Sequence, residues 1–280
     1  MVEYGYVRTN SVTLHVAQAG PPEGQPVVLL HGFPEFWYGW REQIPALAEA
    51  GFRVWAPDQR GYNLSEKPPG VRSYELDALA RDVVGLMDAA GVERAFVAGH
   101  DWGAMVAWWL GLHYPDRLEK LAILNVPHPA VFLPFLSSHP AQLLKSWYMF
   151  FFQVPYLPEL ALRKTGRRAL RDTSKPGVFG EEDLEKYQKA WDRPGAMTAM
   201  INWYRAAARR GGGRSVEDPT VRVPTLMIWG EEDAFLDRRM AEPSIEFCEE
   251  GRLVKLPGIS HWVQHEAAGR VNRLLVEHFR

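Results

Sequence analysis

Asp101 sits in Gly99-His100-Asp101-Trp102-Gly103, between the apolar, strand-like AFVAG and a helix-forming run that begins near Ala104. Glycine on both sides allows a strand-to-helix turn too sharp for bulkier residues, and such a turn holds its central side chain exposed and strained. A carboxylate placed there can attack a saturated carbon whose leaving group is activated, leaving an alkyl ester on the protein. An aspartate in this position can also simply cap the following helix, so the meaning of Asp101 depends on its partners.

Three further motifs supply partners. His31-Gly32-Phe33-Pro34 follows the strand-like VVLL, and its glycine and proline shape a turn that aims backbone N–H groups; with the N–H of Trp102 it makes an oxyanion hole. Asp233 ends Gly230-Glu231-Glu232-Asp233, just past TLMIW, and His261 lies in Gly258-Ile259-Ser260-His261-Trp262, just past RLVKL. A histidine can take a proton from water near neutral pH, and an acid beside it fixes its tautomer and stabilises the imidazolium. Glu231 and Glu232 compete with Asp233 for the acid's place, and His265 competes with His261, although His265 falls where the last helix should already have begun. His15, His113, His139 and His278 read as surface or packing residues, and His31 and His100 as supports of their own loops. No His/Asp/Glu grouping has metal-ligand spacing, so neither metal nor cofactor is expected.

Residues so far apart along the chain meet only if strands deliver them. Apolar runs at Pro26–Leu30, Phe52–Ala56, Ala95–Ala98, Leu118–Val126, Thr225–Trp229 and Arg252–Leu256 are punctuated by glycine or proline and alternate with helical segments such as Leu76–Ala90 and Ala267–Phe279. The pattern predicts a mainly parallel sheet with helices on both faces, the N-terminal stretch forming the first strand. Open parallel sheets carry reactive groups in loops at the carboxyl ends of strands, where all four motifs lie. The alternation fails between residues 128 and 223, which are aromatic, proline-punctuated and helical in character. That stretch reads as a helical cap inserted between core segments 1–127 and 224–280, with Gly211-Gly212-Gly213 as a flexible run before the core resumes. Arg167-Arg168 and Arg209-Arg210 read as solvated faces.

Of the 280 residues 46% are hydrophobic and 24% charged, with a formal net charge of -2, so no global field points to nucleic acid or a membrane. A single cysteine, Cys248, excludes an intramolecular disulfide. With no basic-then-apolar leader and no apolar run long enough to span a bilayer, a cytoplasmic protein is expected, and a homodimer is left open.

The chain resembles the epoxide hydrolases of the α/β-hydrolase fold through HGFPEFWYGWR, DQRGYNLSEKP, GHDWGA, GEED and GISHW, and does so over nearly its whole length, from Gly5 to Phe279. The resemblance implies that Asp101 is the nucleophile, His261 the base and Asp233 its acid partner, with Phe33 and Trp102 giving the oxyanion-hole amides. It also implies two cap tyrosines over the nucleophile: Tyr204, in Asn202-Trp203-Tyr204-Arg205, and Tyr148, matched by its spacing to Gln153 with Tyr156 as a local rival. The implied partners are a small hydrophobic epoxide and water, giving a vicinal diol, in a pocket expected to be walled by Trp37, Phe132 and Phe150. Glu35 is either part of the hydrogen-bond network around that water or a surface turn residue. The nearest competitor is a haloalkane or haloacetate dehalogenase, which would use the same Asp-His-acid set. Against it, Phe33 stands where haloalkane dehalogenases commonly have Asn, and Trp102 where the fluoroacetate enzymes have Arg. A ligand receptor that keeps the fold without turnover is the alternative of another class.

Overall fold

A computed structural model describes residues 1–209 and 218–280. The glycine run Gly211-Gly212-Gly213 and Arg210 lie outside the described residues. Eight strands form one sheet: β1 (Glu3–Thr9), β2 (Val12–Ala19), β3 (Pro26–Leu30), β4 (Arg53–Pro57), β5 (Ala95–His100), β6 (Leu118–Leu124), β7 (Thr225–Gly230) and β8 (Gly251–Leu256). Their spatial order is β1-β2-β4-β3-β5-β6-β7-β8, antiparallel for the first two pairings and parallel from β4 to β8. The single N-terminal strand expected is thus a hairpin: Asn10 and Ser11 both take positive φ, 38° and 66°, and fold β2 back onto β1.

The apolar runs are strands because both faces of the sheet are covered. Val28 and Leu30 of β3, Val97 of β5, Ile123 of β6 and Met227 of β7 enter the core on one side. Val27, Leu29, Phe96, Ala98, Leu124 and Ile228 enter the other. A two-residue period with apolar side chains at both phases reads as an uninterrupted run. Each such fully buried aliphatic side chain contributes about 1.5–3 kcal/mol relative to exposure.

The second face is covered by α1 (Gln43–Glu49) and a C-terminal helix. The first is covered by α2 (Leu76–Ala89), through Leu79, Val83 and Leu86, and by α3 (Trp102–His113). α3 is buried on nearly every side, which accounts for its uniformly apolar sequence.

Between β6 and β7 the chain leaves the sheet and forms a helical cap: α4 (Pro129–Ser138), α5 (Pro140–Lys145), α6 (Trp147–Phe151), α7 (Leu157–Thr173), α8 (Glu181–Trp191) and α9 (Ala196–Ala208). α10 (Ala241–Ile245) follows β7, and α11 (Val263–Glu266) and α12 (Ala268–Phe279) follow β8. No helix among the described residues is long and apolar enough to cross a membrane.

Candidate active site

Asp101 sits between β5 and α3 with φ 50° and ψ -122°, a conformation that costs a non-glycine residue and persists only where neighbours enforce it. Those neighbours are backbones that close in because glycine permits it. A Cβ on Gly103 would lie 2.0 Å from the carbonyl oxygen of Leu30, and one on Gly32 would lie 2.3 Å from Cβ of Asp101. The amides of Ala104 and Met105 bond to the Asp101 carbonyl at 2.9 and 3.1 Å, but its carboxylate makes no helix-capping bond. The carboxylate turns instead toward the loop after β3, where Oδ1 accepts the Phe33 amide at 2.7 Å. The Trp102 amide opens α3 beside it and makes no bond to that carboxylate.

Two later loops bring the remaining groups. His261, after β8, places Nε2 at 3.6 Å from Asp101 Oδ2 and Nδ1 at 2.7 Å from Asp233 Oδ2. Asp233, after β7, is buried, and its Oδ1 accepts the amides of Phe235 and Leu236 at 2.7 and 2.9 Å. The loops can pack together because Gly230 has no side chain: a Cβ there would meet the Ser260 carbonyl at 2.1 Å. Glu231 and Glu232 do not reach the histidine, and His265 turns away to bond Glu35 at 2.7 Å. Burial alone would lower the His261 pKa, but Asp233 and Asp101 face its two nitrogens and together raise it to about 10. Burial works against ionisation of Asp233 too, yet the histidine and the donated hydrogen bonds hold its pKa below the ordinary carboxylate value.

Tyr148 on α6 and Tyr204 on α9 meet above this group, ring centroids 5.9 Å apart, and both line a cavity of about 620 Å³ together with Asp101 and His261. Burial, with the Asp101 charge second, pushes both phenols well above their ordinary pKa, so each keeps its proton at neutral pH. Tyr156 is 80% exposed and lies outside the cavity.

Three residues expected to wall the pocket do not line it. Phe150 is 57% exposed, because α6 points Tyr148 and Phe151 inward and the helical period then turns Phe150 out. Trp37 packs at a tilt against Tyr4, with ring centroids 5.3 Å apart, while its amide bonds Asp58 at 3.0 Å, since the chain has turned away from the cavity after Pro34. Phe132, on α4, packs against the core. The aromatic walls are Phe33, Trp147, Phe151, Phe152, Phe235 and Trp262.

Two further residues hold the site and carry no motif. Asn125, just past β6 with φ 51°, donates to Asp233 Oδ2 at 2.7 Å and accepts the Gly230 amide at 2.8 Å. Gln142, fully buried on α5, accepts the Asp237 amide at 2.9 Å and donates to the Phe235 carbonyl at 2.7 Å. An asparagine at a strand end, where it tolerates the left-handed region, is a usable signal for the first; nothing in the sequence marks the second.

Glu35 is no surface residue: it is 1% exposed and accepts bonds from Tyr187 at 2.7 Å and Gln264 at 2.9 Å as well as from His265. Arg41 donates to His265 Nδ1 at 2.9 Å, and a guanidinium cannot accept, so His265 is neutral and donates through Nε2 to an ionised Glu35. Burial opposes that charge, but His265 and His100 outweigh it and hold the Glu35 pKa well below the ordinary value.

Comparison with known proteins agrees with this architecture. Residues 25–268 match the α/β hydrolase fold family. The AB hydrolase superfamily protein YfhM of Bacillus subtilis is 47% identical over 100% of this chain and 98% of its own length. Human epoxide hydrolase 4 is 38% identical over 97% of this chain and 77% of its own length. Among solved structures, an inhibitor complex of Bacillus megaterium epoxide hydrolase superposes with a TM-score of 0.90 at 31% identity, covering 98% of this chain and 99% of that one. The chain belongs to the α/β-hydrolase family. Within it, the chain falls in the epoxide hydrolase branch.

Proposed function

We propose that this protein converts a hydrophobic epoxide and water to a vicinal diol through an ester on Asp101. The observation that carries the reading is a single cavity with an uncapped carboxylate on its floor, two protonated phenols, Tyr148 and Tyr204, among its walls, and His261 at 3.6 Å from that carboxylate. In the first half-reaction Asp101 attacks one ring carbon, the carbon–oxygen bond breaks, and a phenol gives its proton to the departing oxygen. Stabilising charge that appears only as the ring opens accelerates that step.

In the second half-reaction His261 takes a proton from water, and the hydroxide adds to the ester carbonyl of Asp101. The amides of Phe33 and Trp102 hold the resulting oxyanion. Collapse releases the diol, whose oxygen takes the proton back from His261, and ionisation of the regenerated Asp101 supplies the proton that restores the phenol. Esterification also removes one of the two negative charges that raise the His261 pKa, so the ring gives up its proton more readily and is free to accept one from water in the step that needs a base.

Carbon–halogen cleavage is the less favoured reading, because a halide leaves without needing a proton and the groups available over Asp101 are proton donors. A ligand receptor would not require three aligned reacting groups. A single turnover in ¹⁸O water with enzyme in excess of styrene oxide, beside an assay of halide release from alkyl halides, distinguishes all three. The expected result is unlabelled oxygen in the first diol and ¹⁸O in the Asp101 peptide. Label in the diol with none on Asp101, halide release from alkyl halides without diol formation, or binding without turnover would each overturn the reading.

A further inference from the structure

Exposed apolar side chains are concentrated in one stretch of the chain. Among the described residues twelve large hydrophobic side chains are exposed, and nine of them fall between Leu133 and Leu160, exposed by 39% to 80%. They lie on the cap helices and the turns between them. Two, Leu144 and Trp147, also line the cavity, so the cavity reaches the surface within this apolar ridge. Scattered exposed hydrophobics need no explanation, but nine within 28 consecutive residues, two of them at a cavity mouth, mark an interaction surface.

Charge identifies what meets it. Between residues 128 and 209 there are twelve lysines and arginines against seven carboxylates, in a chain whose formal net charge is -2, so the cap is cationic and the rest of the chain acidic. α7 joins the two properties. Its inner face sends Leu162, Gly166 and Leu170 to the cavity, while Leu157, Leu160, Lys164 and Arg168 follow one another along its exposed outer face. Arg163 and Lys164 have no carboxylate within 4.0 Å among the described residues. Aliphatic and aromatic side chains flanked by basic ones suit the headgroup boundary of an anionic bilayer. A second copy suits the ridge less, because cap-to-cap pairing would bring two cationic surfaces together.

We propose that the cap docks on anionic lipid through this ridge and places the cavity mouth at the acyl boundary. Docking does not depend on the reaction assigned above; only the benefit to a lipid-dissolved epoxide rests on that reading. The test is co-sedimentation of the full chain with vesicles of phosphatidylcholine alone and with about 30 mol % phosphatidylglycerol. Binding is expected to be about tenfold stronger with the anionic lipid and to weaken in high salt. The Phe150→Ser/Leu160→Ser double variant should lose most of it, and Lys164→Glu should lose several-fold, while both turn over a water-soluble epoxide at the parent rate. Equal binding to neutral and anionic vesicles, or none to either, would overturn the proposal. So would a dimer in sedimentation velocity that those substitutions dissociate, since the ridge would then belong to a second copy.

Discussion

The side-chain amide of Gln142, on a cap helix, holds the backbone of Phe235, in the core loop that carries Asp233, at 2.7 Å. It also accepts the Asp237 amide at 2.9 Å, and Lys145 one turn on donates to the Asp233 carbonyl at 3.0 Å. The loop whose amides fix the Asp233 carboxylate is therefore itself fixed by the cap.

Gln142→Ala leaves a buried carbonyl and a buried amide without their partner, which costs about 1–3 kcal/mol each where water cannot replace it. In the proposed mechanism the acid and histidine act in ester hydrolysis and not in ring opening, so the variant should accumulate alkyl-enzyme, with kcat reduced about tenfold and the alkylation rate little changed. Rapid-quench mass spectrometry separates the two steps. Equal slowing of both would reduce Gln142 to a structural residue.

Replacing Tyr204 or Tyr148 by Phe removes one of the two donors proposed to act on the opening ring. Each single variant should lose about tenfold to a hundredfold in the alkylation rate, and the double variant nearly all of it. If the double variant opened styrene oxide at the parent rate, the phenols would be packing residues only.

His261 binds its proton more tightly folded than unfolded, its pKa rising from about 6.5 to about 10. Its contribution to stability is then complete below pH ~6.5 and is lost as pH climbs through about 10. Thermal midpoints measured from pH ~6 to ~10.5 should fall more steeply for the parent than for His261→Gln. Parallel curves would mean that the two carboxylates do not hold the imidazolium.

Arg60 and Asp82 form a two-pronged ion pair, 2.5 Å at each prong, with both side chains almost wholly buried. Asp82→Ala strands a buried guanidinium and should cost about 3–5 kcal/mol in urea unfolding. Replacing both partners with apolar residues of similar volume should cost less. A loss below about 1 kcal/mol for Asp82→Ala would place this pair in effective contact with solvent.

The parallel strands were legible because burial on two faces leaves them continuously apolar, and the elbow because only glycine tolerates the approaches that Leu30 and Asp101 make to it. The resemblance singled out Asp233, which its spacing alone did not separate from its glutamate neighbours, and in the structure it is Asp233 that bonds His261. Phe150, Trp37 and Phe132 misled because an aromatic ring is equally at home in a pocket wall, an exposed helix face, a hairpin contact and the core. In a helix as short as α6 the sequence carries too few turns to set the phase. Gln142 was invisible because its partners are backbone atoms, which leave no trace in residue identity.

The cap's insertion between β6 and β7 also governs how the molecule is assembled. Leu121 pairs with Thr225 across roughly a hundred intervening residues, a closure whose entropic cost falls late in folding. Asp101 needs only β3, β5 and α3 around it, all from the first half of the chain, whereas Asp233 and His261 arrive with the two final strands. In a chain emerging from the ribosome, every element that surrounds Asp101 in the elbow is therefore synthesised well before His261.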